Sequence, residues 1–298
     1  MTSNQKATLL ALSAVLLWST VATAFKIALR ELLFYQLLLI STIVSTLIFG
    51  CFLLLKNEFL QAFNISFKQW RYSMLMGALN PFLYYLVLLK AYSLLPAYMA
   101  QPLNYTWPVV LVFFSAFFLR QKLSWTSFLA LMVSFSGVLF ISNGNTNSIG
   151  SSNVIGVSLA AGSSLIWSWY WILNIKDERP VIHKLFINFL FGSLYIVIFS
   201  LIMGFPRFSF SGSMFAAFYI GIFEMGITFL LWLMALQLAS RTDKISVYIF
   251  LSPFISLIFI TGILGEHITF QAIIGFVLIA IGILISKWKE LTNFEHGN

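Results

Sequence analysis

The feature that most constrains this chain is a succession of apolar runs, each long enough to cross a bilayer as a helix, parted by short polar breaks. A spanning helix takes about 20 apolar residues. Reading between charged or turn-rich breaks predicts ten spans: 7–27, 34–55, 70–89, 97–119, 125–142, 154–174, 184–204, 211–235, 245–264 and 270–287. The expected fold class is therefore an all-α integral membrane protein with ten transmembrane helices. Composition agrees where it bears on solvent: 60% of residues are hydrophobic and 9% charged, too little charge to coat a soluble domain of this length.

The net charge of +8 does not point to nucleic acid, because the basic residues fall between apolar runs and form no patch with interleaved aromatics. Cys51 stands alone, which excludes disulfides and cysteine-rich metal sites. No cleavable signal peptide is expected. The run 7–27 is too long for one and leads straight into a second span.

Orientation follows from where lysine and arginine fall. With the N-terminus inside, the cytoplasmic segments hold 13 of the 17 basic residues and the outer segments, carrying Lys26, Arg30, Lys90 and Arg207, hold four. The split predicts both termini in the cytoplasm and so an even number of spans. A multi-pass protein of the bacterial inner membrane is the expectation.

The two halves of the chain resemble each other. Leu17-Trp18-Ser19 matches Ile166-Trp167-Ser168, and Gly77 ahead of Ala91-Tyr92 matches Gly221 ahead of Ala235-Leu236. Pro108 matches Pro253, and the run opening at Gly137 matches the one opening at Gly282. The expected repeats are 1–142 and 154–298, the second with a short cytoplasmic tail, joined by the polar linker 143–153. Five spans is an odd number, so the second repeat is inverted relative to the first. Such repeats with a site at the midplane are a transporter architecture.

These residues bring a family into view. The chain resembles the drug/metabolite transporter superfamily in its EamA-type form, two five-helix repeats, over essentially its full length. Within it the chain is similar to the bacterial aromatic amino acid exporters. The stretches that carry this are Gln5-Lys6-Ala7-Thr8-Leu9 leading to Leu17-Trp18-Ser19-Thr20, then Asn104-Tyr105-Thr106-Trp107-Pro108, and Gln121-Lys122. Gly265-Glu266 follows the ninth span as the family pattern has it, whereas the first repeat has Arg120-Gln121 at the matching place.

The candidate functional residues lie on the spans richest in polar and aromatic groups. The fourth carries Tyr98, Gln101, Pro102, Asn104, Tyr105, Trp107 and Pro108. Two prolines free backbone carbonyls inside the membrane, which only protein or water can satisfy, so this span reads as kinked and pore-lining. Trp18, Trp107, Trp167 and Trp171 lie within spans, where an indole N–H wants a partner or a cavity. Trp18 and Trp167 are related by the repeat. With Tyr84, Tyr85, Tyr105 and Trp107 they would make an aromatic box for a flat, apolar side chain.

Glu224 is the one charge deep in a span, and an acidic group there costs roughly 2.5–3.5 kcal/mol on the mild insertion scale unless protonated or paired. It reads as a proton-coupling group or a partner for a substrate ammonium, with a neutral structural carboxyl as the other reading. Its repeat counterpart is Asn80, followed by Pro81. Lys26, near an outer span end, is either a snorkelling side chain or a partner for a substrate carboxylate. The spans 34–55, 125–142, 184–204 and 270–287 read as bland. All three histidines read as loop or tail residues, and Asp177-Glu178 as part of a solvated charge cluster.

Neither a metal-ligand motif, a nucleophile elbow nor a phosphate-binding loop is present, so no cofactor, metal or enzymatic activity is expected. The expectation is a secondary transporter working by alternating access, exporting amino acids or similar amphiphilic metabolites, aromatic or hydrophobic ones favoured. A drug-like cation or nucleoside-like cargo is the alternative within transport. A non-transporting membrane enzyme or assembly factor is the rival from another class.

Overall fold

A computed structural model describes residues 2–118, 125–143, 151–175, 177–204, 211–238 and 247–292. Most of the polar linker and the Arg120-Gln121-Lys122 stretch lie outside the described residues. Among those described there is no strand. The longer helices are α1 (Ser3–Ala28), α2 (Phe34–Leu55), α3 (Phe67–Leu94), α4 (Ala97–Asn104), α5 (Trp107–Phe118) and α6 (Trp125–Asn143). They continue with α7 (Ser151–Ile175), α8 (Val181–Ile202), α9 (212–238), α10 (Leu251–Leu264) and α11 (Phe270–Thr292). The fourth predicted span is split into α4 and α5. Among the described residues α1, α2, α3, α8 and the Gly212–Trp232 part of α9 are long and apolar enough to cross a membrane.

Local sequence sets where the first helices begin. Gln5 accepts the Thr2 N–H at 2.8 Å while the Thr2 hydroxyl oxygen accepts the Gln5 N–H at 3.2 Å. Ser66 and Gln69 repeat this reciprocal cap at α3, and Gln36 reaches back to the Leu33 N–H at 2.9 Å at α2. A glutamine three positions in thus satisfies amides that a helix start leaves without intrahelical acceptors.

The chain packs as two compact units, and each draws on both sequence halves. Unit 1 is Met1–Leu89 with Asp177–Leu264, and unit 2 is Lys90–Lys176 with Gly265–Asn298.

Unit 1 is held by glycine contacts, hydroxyl rungs and rings. A Cβ on Gly77 of α3 would collide with the Asn188 carbonyl of α8, and one on Gly192 would lie 2.5 Å from the Pro81 ring. Only small residues allow so close an approach, the usual basis of helix association in lipid. The Ser41 and Ser45 hydroxyls of α2 donate to the Ala217 and Gly221 carbonyls of α9 at 3.0 and 2.8 Å. Rings run from Trp18 to Phe229, then to Phe189 and Phe49, at centroid spacings of 6.2, 6.5 and 5.1 Å.

In unit 2 the helices α6 and α11 cross through reciprocal glycines. A Cβ on Gly137 would sit 2.5 Å from the Gly275 carbonyl, and one on Gly282 would meet the Ala130 carbonyl and Ser134. The repeat that pairs Gly137 with Gly282 also pairs Ala130 with Gly275, so the two contacts are images of each other.

Candidate functional site

Helix α3 breaks in mid-span. Asn80 leaves the helical region (φ −147°, ψ 122°) ahead of Pro81, within a widened π-type turn, Ala78–Leu83. Helix α9 has a π-type turn at the repeat-related place, Ile220–Ile227. Widening a helix frees carbonyls, and here the Thr228 hydroxyl donates to the Phe223 carbonyl.

The two breaks carry the buried polar groups that sequence singled out. The Tyr85 hydroxyl donates to Glu224 Oε1 at 2.9 Å, so the carboxyl is paired with a phenol. Glu224 is 8% exposed, and its Oε2 has no partner among the described residues. Asn80 is fully buried, and both its amide atoms are without a hydrogen-bond partner among the described residues. Each buried polar atom left this way costs about 1–3 kcal/mol. Tyr84 packs edge-on against Tyr85 at 4.8 Å. Trp18 lies 5.5 Å from Trp232, and Lys26 is half-buried in the last turn of α1.

Unit 2 holds the remaining candidates. Gln101 is buried on α4, while Tyr105 and Trp107 are half-buried at the joint of α4 and α5. The joint is tied to α7: Asn104 Nδ2 donates to Ser163 at 2.8 Å, the Thr106 hydroxyl to Ser164 at 3.1 Å, and Ser168 to the Trp107 carbonyl at 2.9 Å. Trp167 stacks on Tyr170 at 5.5 Å and meets Trp171 edge-on at 5.9 Å. The Trp171 indole N–H has no acceptor among the described residues. Trp18 and Trp167 thus belong to different units.

The structure corrects three readings. The span 184–204 is not bland, because Asn188 is fully buried there with neither amide atom partnered among the described residues. Asn188 carries the same sequence signal as Glu224, a polar group inside an apolar run. His183 is not a loop residue. It sits in the first turn of α8 with Nε2 3.0 Å from Glu58 Oε2. Asp177 is no solvated charge: Arg179 grips it through Nε and Nη2 at 2.9 and 2.7 Å, and both side chains are under 10% exposed. Burial pushes the Asp177 carboxyl up, but the hydrogen bonds and charge of Arg179 outweigh it and hold the group below the usual carboxylate range.

A family description for EamA-like transporters matches residues 5–143 and 154–288. The chain belongs to the EamA-like transporter family. This places it in the drug/metabolite transporter superfamily, as a multi-pass membrane transporter of small molecules and not an enzyme. An uncharacterized transporter of Archaeoglobus fulgidus is 25% identical to this EamA protein over 96% of the chain and 99% of the relative. The uncharacterized transporter YvbV of Bacillus subtilis is 26% identical over 75% and 73%. A Clostridium kluyveri transporter is 28% identical, with the match spanning 58% of each chain. A crystal structure at 19% identity superposes with a TM-score of 0.67 over 95% of this chain and 98% of that one, which supports the fold alone.

Proposed function

We propose that this EamA transporter exports amino acids or similar amphiphilic metabolites, favouring aromatic or hydrophobic ones, by alternating access. The observation that carries the reading is the half-paired carboxyl of Glu224, one oxygen held by Tyr85 and the other open, beside a break in its own helix. Such a group can take a substrate ammonium in a charge-assisted hydrogen bond, or carry a coupling proton. Asn80 supplies unpaired donor and acceptor atoms on the repeat-related helix. In unit 1, Trp18, Tyr84 and Tyr85 offer ring faces, and Lys26 a cation for a carboxylate. In unit 2, Gln101, Tyr105, Trp107, Trp167 and Trp171 are the proposed contacts. The membrane is the bacterial inner membrane with both termini cytoplasmic, and the inverted repeats are 1–142 and 154–298.

The test is counterflow in proteoliposomes loaded with unlabelled tryptophan, phenylalanine or leucine, set against a lipophilic cation and a nucleoside. Accumulation of labelled amino acid supports the reading; counterflow of the cation or nucleoside alone overturns it. Reporter fusions at residue 148 are expected to face outward and those at residues 65 and 180 inward.

A further inference from the structure

The Gly265-Glu266 pair plays no part in the site described so far, yet its geometry is specific. Helix α4 starts after Pro96, whose side chain offers no cap. The amides of its first turn therefore need acceptors from elsewhere. Glu266 supplies two of them: Oε1 accepts the Ala97 N–H at 3.0 Å and Oε2 the Tyr98 N–H at 3.2 Å. The carboxylate also sits at the positive end of the helix dipole. Gly265 makes the reach possible, since its φ of +67° lies in the left-handed region where a side chain is strained. Thr269 caps α11 by accepting the Ala272 N–H at 3.2 Å.

The other end of α4 is fixed to α7 by the Asn104–Ser163 and Thr106–Ser164 bonds. Gln101, Tyr105 and Trp107 ride on the segment between or beside these anchors. We infer that Glu266 is a positioning residue: its two-pronged cap sets the start of α4, and through it the placement of the contacts at Gln101, Tyr105 and Trp107. The second half of this statement rests on the transport reading above; the cap does not.

The test uses the full-length transporter in lipid nanodiscs and proteoliposomes. In Glu266→Ala, amide exchange across 97–104 should quicken about tenfold or more, with peptides of α1 and α2 unchanged. The KM for counterflowed amino acid should rise severalfold while maximal rate changes less. Adding Gln101→Ala should deepen the Glu266→Ala defect little, whereas Trp18→Ala should multiply it. Glu266→Gln, which keeps one acceptor and the side-chain length, should fall between and serves if the alanine variant fails to insert. Unchanged exchange at 97–104 overturns the inference, as does faster exchange with an unaltered KM. A wild type that moves none of the amino acids sinks the transport reading alone. The exchange pattern needs no substrate and still decides whether Glu266 holds α4.

Discussion

Two breaks at repeat-related places, 78–83 in α3 and 220–227 in α9, share a scaffold and differ in chemistry. At each, a glycine lets a neighbouring helix come close: Gly77 against Asn188 of α8, and Gly221 with a would-be Cβ 2.7 Å from Val44 of α2. The side chains then diverge. The first break carries a carboxamide with no partner among the described residues, the second a carboxyl that takes the Tyr85 hydroxyl. The residue related to Tyr85 by the repeat is Phe229, which carries no hydroxyl and packs against Trp18 and Phe189. The repeat puts a helical break at the same place in both halves, and the side chains there make one break an amide site and the other an acid site.

Four experiments test this contrast. The largest effect is expected from Glu224→Gln. If the carboxyl carries a proton, pH-driven accumulation should fall by more than about tenfold while exchange of substrate down its own gradient survives. If it holds the substrate ammonium, both should be lost. Unaltered transport in both modes would make the two breaks equivalent and the carboxyl structural.

Next come the shared glycines. Gly77→Ala and Gly221→Ala should each destabilise by about 1–3 kcal/mol, the range for overpacking a close contact, read as loss of thermal stability in detergent. A large cost at one and none at the other would end the claim of a common scaffold. Tyr85→Phe should cost about 0.6–1.7 kcal/mol, the range for a polar contact within a membrane protein, and should slow transport with little loss of protein in the membrane. The smallest effect belongs to Phe229→Tyr, which gives the second break's helix a hydroxyl at the place that Tyr85 holds in the first. Stability should rise by no more than about 0.6 kcal/mol. A marked loss would show that the ring contacts with Trp18 and Phe189 matter more than the missing donor.

The contrast also marks what sequence alone could show. The apolar runs, the caps at Thr2 and Ser66 and the kink at Pro81 are local, and each is readable from a few neighbouring residues. Glu224 stood out because a charge in lipid is costly wherever it sits. Its bond to Tyr85 was hidden, since Tyr85 reads as one aromatic among many and the contact joins residues far apart in the chain. Asn188 escaped because its apolar neighbours made the whole span look ordinary. The role of Glu266 was out of reach for a further reason: a helix cap supplied from a distant segment leaves no mark near the helix it caps.

One arrangement has a bearing on how the protein is made. Each unit combines residues from both sequence halves, and unit 1 is not complete until Leu264 has been synthesised. The helices α1, α2 and α3 therefore enter the bilayer well before α8 and α9 exist to cover them. Until then Gly77, the Asn80 amide and the Ser41 and Ser45 hydroxyls face lipid or one another without their final neighbours. Unit 1 can therefore close only after the second half of the chain has followed the first.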